Sequence, residues 1–231
     1  MSSQGTQVSN ASFDIVKLID TIDFAARKHS FQRRKDSAKT PYINHPIGVA
    51  KNLTDAGVYD LVTIQAAILH DTVEDTKTTF EEIEQNFGRE VKNIVAECTD
   101  DKTLEKEEIK RLQIEHTPHL SKQAKEVKLA DKLYNLKDIK RDVPTGWSKE
   151  RVQGKSLIGQ LNDNFINLLT SYIYLYTFIY YKKKKKKEYY IWAKKVTDGA
   201  RGINQKLEEQ LDEIYANGIF VLQGEEYKCH P

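Results

Sequence analysis

The chain has 231 residues, 39% of them hydrophobic and 30% charged, which excludes a fibrous repeat, a wholly disordered chain and a multi-span membrane protein. Its net charge of +2 is uneven: residues 154–187 hold seven lysines against Asp163 alone, so the remainder is acidic and offers no broad basic face to nucleic acid. Two cysteines, Cys98 and Cys229, make neither a disulfide framework nor a CxxC metal pattern, and MSSQGTQVSN is not a secretory leader; a reduced, cytoplasmic setting is expected.

In chain order the apolar residues read as helices, and the expected fold class is all-α. A 3.6-residue period runs from Phe13 to His29, and Pro46 opens a second helix through Leu53, at a first-turn position where its missing N–H costs nothing. Leu61–Leu69 is apolar almost all round and reads as the central buried helix. Thr78 with Glu81, and Thr79 with Glu82, fit capping boxes before a short helix ending near Phe87–Gly88. Amphipathic stretches follow over Val91–Glu97, Leu104–His116 and Gln123–Ile139, and a last helix over Tyr190–Tyr215 stops at Asn217–Gly218. No run of alternating strands is seen. The organisation is a tail (1–12), a helical core (13–153), an insert (154–187), a C-terminal helix completing the domain (188–217) and a second tail (218–231).

The insert breaks the pattern. It carries seven of the 22 aromatic residues, is uncharged from Asn164 to Tyr181, and ends in Lys182–Lys187. Eighteen uncharged residues reach the lower limit for a membrane span, but the tyrosines, Asn164, Asn167 and Thr170 lower the hydropathy, so no membrane is expected. A surface helical arm is a second reading. The third is a retained intron, because Phe, Ile, Asn, Tyr and Lys have AT-rich codons and Gly-Lys-Ser can be spelled around a splice donor. The lysine run reads as a solvated tract.

Chemistry concentrates in His45, in His70-Asp71-Thr72-Val73-Glu74-Asp75 and in Asp131. On a helix continuing past Leu69, His70 would pair with Glu74 and Asp71 with Asp75. Buried charges need partners or a metal, and one divalent cation can serve several carboxylates. His45 sits at a helix start, and Asp131 on an amphipathic helix whose apolar stripe carries it to the core. Two imidazoles and two carboxylates without thiolate suit Mn2+ or Fe2+, with Mg2+ and Zn2+ also open. His29 reads as a favourable charge at a helix C-terminus, His116 and His119 as exposed, Trp147 and Trp192 as core anchors; Asp100-Asp101-Lys102 is assigned no chemistry.

HDTVED, YINHP, QRRKD and LADKLYN in this order resemble the hydrolase half of the RelA/SpoT family, most nearly its small stand-alone animal members, over about Ile15–Gln153 and again from Glu188 to about Tyr215. The resemblance implies an HD-domain, Mn2+-dependent hydrolase that removes the 3′-diphosphate of guanosine 3′,5′-bis(diphosphate), acting on a small nucleotide, with homo-oligomerisation left open. It implies His45, His70, Asp71 and Asp131 as metal ligands, Glu74 and Asp75 as catalytic acids, and Arg34, Lys35, Asn135, Arg151 and Tyr189 as substrate contacts. No synthetase half is expected. Family members run Arg-Val-Gln-Glu-Tyr without a break, whereas here the insert sets Arg151 and Tyr189 apart by 38 positions. Two alternatives follow: a phosphatase acting on the 2′-phosphate of NADPH, and a metal- or nucleotide-binding protein whose catalysis the insert impairs.

Overall fold

The computed structural model describes residues 10–147, 152, 189–222 and 224–229, so the insert, the lysine run and Arg151 lie outside the described residues. Ten helices are described: α1 (Asn10–Lys28), α2 (Asn44–Asp55), α3 (Leu61–Leu69), α4 (Thr72–Asp75), α5 (Phe80–Phe87), α6 (Arg89–Cys98), α7 (Lys106–His116), α8 (Lys122–Arg141), α9 (Tyr189–Asp198) and α10 (Gln205–Asn217). A 3₁₀ turn over Thr117–His119 joins α7 to α8. The fold is all-α apart from a small hairpin at its C-terminal end.

α3 is buried from Thr63 through Leu69 and packs against α1, α2, α6 and α8. Asp60 starts it by accepting the Thr63 N–H at 3.0 Å. The one amide inside this apolar helix is satisfied, since Gln65 donates to the Thr21 hydroxyl at 2.8 Å. α8 is the hub: capped by Ser121, it packs against α2, α3, α6, α9, α10 and the first strand. Thr79 caps α5 through the Glu82 N–H, as the box predicts, and Gly88 ends it at φ 87°.

Three expectations are corrected. α2 begins at Asn44, two residues before Pro46, which still falls where the helix leaves N–H groups unpaired. The single helix expected over Tyr190–Tyr215 is two, α9 and α10: Gly202 adopts φ 83° and Asn204 accepts the Leu207 N–H, stopping one helix and capping the next. The tail expected from residue 218 also gives way, because β1 (Ile219–Leu222) pairs antiparallel with β2 (Glu225–Lys228) around Gly224 at φ 82°. Phe220 and Cys229 are buried, so hydrophobic burial pins this ribbon to the helices.

Candidate metal centre

The HDTVED run does not continue α3. The His70 Nδ1–H donates to the Ala67 carbonyl at 2.8 Å and the Thr72 hydroxyl to the Leu69 carbonyl at 2.6 Å. Asp71 adopts φ −94°, ψ −5°, and the chain restarts as the one-turn α4. The expected i, i+4 side-chain pairs therefore do not form. Asp71 turns to the imidazoles, with Oδ2 3.1 Å from His70 Nε2 and 3.4 Å from His45 Nε2. Glu74 accepts the Asp100 N–H at 3.2 Å, and Asp75 is paired with Lys102.

Three elements converge here. His45, in the first turn of α2, lies 3.2 Å from Asp131 Oδ1 on α8, and His70 Nε2 lies 3.9 Å from the same oxygen. His45, His70 and Asp131 each offer one ligand atom, all within 4.8 Å of one another. The Ala67 carbonyl can only accept, so Nδ1 carries a proton, and in the neutral form that ligates a metal His70 presents its lone pair on Nε2. That Nε2 is buried and makes no hydrogen bond among the described residues, although Asp71 is near. An orphaned imidazole nitrogen among two carboxylates and a second imidazole fits a divalent cation.

The surrounding shell aims these groups. The Tyr42 hydroxyl donates to Asp71 at 2.6 Å, while Lys132 and Asn135 donate to Asp131 at 2.7 and 2.6 Å. The His45 ring packs edgewise against Tyr42, His70 and Tyr134, with centroids 5.0–5.6 Å apart. Burial alone would lower His70, but the Asp71 carboxylate carries it up to about 9. Burial would raise Asp131, yet Lys132 and the two imidazoles hold it well below the carboxylate range. Glu74 goes the other way, to about 7, pushed by burial and by Asp71, Asp100 and Asp75 against the Asp100 N–H.

These residues line a cavity of ≈ 200 Å³. Arg34 also lines it; its Nη2 donates to Asn135 at 2.7 Å and to Asp138 at 3.0 Å, and its guanidinium lies over the Tyr42 and Tyr134 rings. Tyr189 stands among Trp147 and Trp192, within electrostatic reach of Lys132, Asp131, Arg34 and Asp71; burial pushes its hydroxyl up to about 12. Lys35 is exposed and does not line the cavity, so the structure does not bring it to the other candidates.

Sequence reasoning missed the Asp100–Lys102 loop, which grips both acids of α4, and also Tyr42, Lys132 and Asp138. The signal for Tyr42 and Lys132 was adjacency to His45 and Asp131 inside their motifs. His29 follows the last residue of α1, where it is buried, bonded to Gln32 and packed 4.9 Å from the Tyr42 ring. Gln32 in turn donates to the Asp75 carbonyl at 2.8 Å. His116 and His119 are exposed, and Trp147 and Trp192 pack on the core, as expected.

The HD domain family matches residues 21–155. The chain is 50% identical over 212 residues to the guanosine-3′,5′-bis(diphosphate) 3′-pyrophosphohydrolase MESH1 of Xenopus tropicalis, covering 91% of this chain and 99% of that protein. It is 49% identical over 203 residues to MESH1 of Homo sapiens, covering 87% and 94%. Among solved structures, a metazoan ortholog of SpoT that hydrolyses ppGpp superposes with a TM-score of 0.69 at 42% identity, covering 86% of this chain and 93% of that one. The chain therefore belongs to the HD-domain hydrolases of the RelA/SpoT family, alongside the metazoan SpoT homologues.

Proposed function

We propose that this protein removes the 3′-diphosphate of guanosine 3′,5′-bis(diphosphate), consuming one water and yielding GDP and pyrophosphate. The observation that carries the reading is the convergence of His45, His70, Asp71 and Asp131 around an unpaired, buried imidazole nitrogen, beside Arg34 and Asn135. The substrate class comes from relatives at about half identity over nearly their whole length.

His45, His70, Asp71 and Asp131 would hold a divalent ion, and Mn2+ is the proposed occupant because imidazole with carboxylate suits it. Such an ion, when bound, supplies charge against the phosphoanhydride oxygens and makes a water more acidic. Glu74 is the proposed general base, since a carboxyl at about 7 accepts a proton at neutral pH. Asp75, paired with Lys102 and held at its carbonyl by Gln32, is the proposed second acid of the pair. Arg34, fixed by Asp138, presents a planar cation to the phosphates. Asn135 is proposed at the ribose, Lys35 at the nucleotide, and Arg151 and Tyr189 near the phosphates, the last three on the family resemblance alone. The setting proposed is cytoplasmic; no helix among the described residues is long and apolar enough to cross a membrane.

The test is pyrophosphate release from the guanosine substrate with and without Mn2+. Metal-dependent release is expected, and none in the presence of Mn2+ would overturn the reading. Orthophosphate release from NADPH, assayed alongside, tests the 2′-phosphatase alternative.

A further inference from the structure

The cavity has a second cationic end that the reaction above leaves unused. Among the described residues three Lys or Arg side chains line it. Arg34 is paired with Asp138 and Lys132 with Asp131, whereas Lys128 has no carboxylate partner among the described residues. Lys128 is only 8% exposed, and among the described residues its Nζ makes one long bond, 3.4 Å, to the Cys98 carbonyl at the end of α6. A cation is favourable at a helix C-terminus, which explains part of this placement. One long bond still leaves two of the three ammonium donors unused, and a buried cation without an anion is costly.

Position says which anion would answer it. Lys128, Asp131 and Asn135 follow one another along the cavity-facing side of α8, and at 1.5 Å per residue Lys128 stands about 10 Å from Asn135 along the axis. Asp131 and the imidazoles lie between them. Asn135 and Arg34 mark one end, the candidate metal centre the middle, and Lys128 the other end. Asp71, Glu74 and Asp100 also line the cavity and would repel a phosphoryl group reaching past the centre, so a cation is needed where Lys128 stands.

We propose that Lys128 holds the outer phosphoryl group of the 3′-diphosphate and so makes the site selective for a diphosphate over a monophosphate. This rests on the reading of the substrate as a nucleotide 3′-diphosphate. Lys132, tied to Asp131 and lying 4.8 Å from the Trp192 ring centroid, has its charge already answered and does not compete for this role.

The experiment compares the Mn2+-loaded full chain with its Lys128→Met variant, using inorganic pyrophosphate and orthophosphate as inhibitors of pyrophosphate release from the guanosine substrate. Loss of one charge-assisted contact is expected to weaken inhibition by pyrophosphate about tenfold, with orthophosphate shifting less than about twofold. Lys128→Arg restores part of the pyrophosphate inhibition. Equal shifts for both anions, or no shift, would overturn the assignment. Lys128→Gln removes the charge but keeps a donor for the Cys98 carbonyl, and gives the same comparison should the methionine variant not fold. If the wild-type chain releases no pyrophosphate, the substrate reading fails on its own; titration calorimetry with inorganic pyrophosphate then still decides whether Lys128 holds a diphosphate.

Discussion

At the scale of single residues, the site separates groups that would hold an ion from a group that would move a proton. Asp131→Ala is expected to lose bound Mn2+ and turnover together, read by metal analysis beside the pyrophosphate assay. Glu74→Gln should keep the metal and lower kcat by roughly 10²- to 10⁴-fold, the usual worth of a positioned base. A Glu74→Gln enzyme that turns over normally would remove Glu74 from that role. The sign of the pH dependence follows from its burial: a base at about 7 is protonated below neutrality, so kcat/KM should rise with pH, pass half its limit near 7 and level off above it. A nearby cation favours the anion and draws that limb lower, and Glu74→Gln should abolish it. Residue identities and motif order were legible in the sequence; the partners of Glu74 and Asp75 were not, since Asp100 and Lys102 reach them only through the fold.

At the scale of elements, two local devices bring the candidate ligands together. One is the break after Leu69, where His70 and Thr72 occupy the carbonyls of Ala67 and Leu69 and swing Asp71 toward His45. Periodicity runs through this break because the apolar pattern of α3 says nothing about which side chains compete for its last carbonyls. The other is the close approach of α2 to α8 at Gly48, where an added Cβ would fall 1.8 Å from the Tyr134 ring. Gly48→Ala must displace Tyr134, the ring beside His45, and overpacking of this kind costs about 1–3 kcal/mol. Urea denaturation should show that loss, and Gly48→Ala combined with Tyr134→Ala should recover part of it. If the single substitution leaves stability and KM unchanged, the contact does not constrain the site.

At the scale of the whole molecule, α8 ties the domain together and carries Asp131, so ion binding and folding should be linked. Mn2+ at a hundred times its Kd should add about 2.7 kcal/mol, seen as a rise of several degrees in Tm that a chelator reverses. Deleting 154–187 joins Arg151-Val152-Gln153 to Glu188-Tyr189, and Val152 and Tyr190 are both buried. The shortened chain is expected to fold with a similar Tm and to release pyrophosphate at least as fast as the full chain; slower release would show that the insert contributes to turnover. Helix content, the cap of α5, the buried α3 and the order of the four motifs were determined by the sequence alone, because they rest on local periodicity, capping chemistry and residue type. The split of the last helix was within reach at Gly202 and Asn204, but the hairpin after it was not, since it is held by burying Phe220 and Cys229 against distant helices. Tertiary structure alone decided which imidazole nitrogens find no hydrogen bond, which acid meets Asp100 and which cavity lysine meets no carboxylate among the described residues, for each depends on atoms that meet only when α2, α4, α6 and α8 pack.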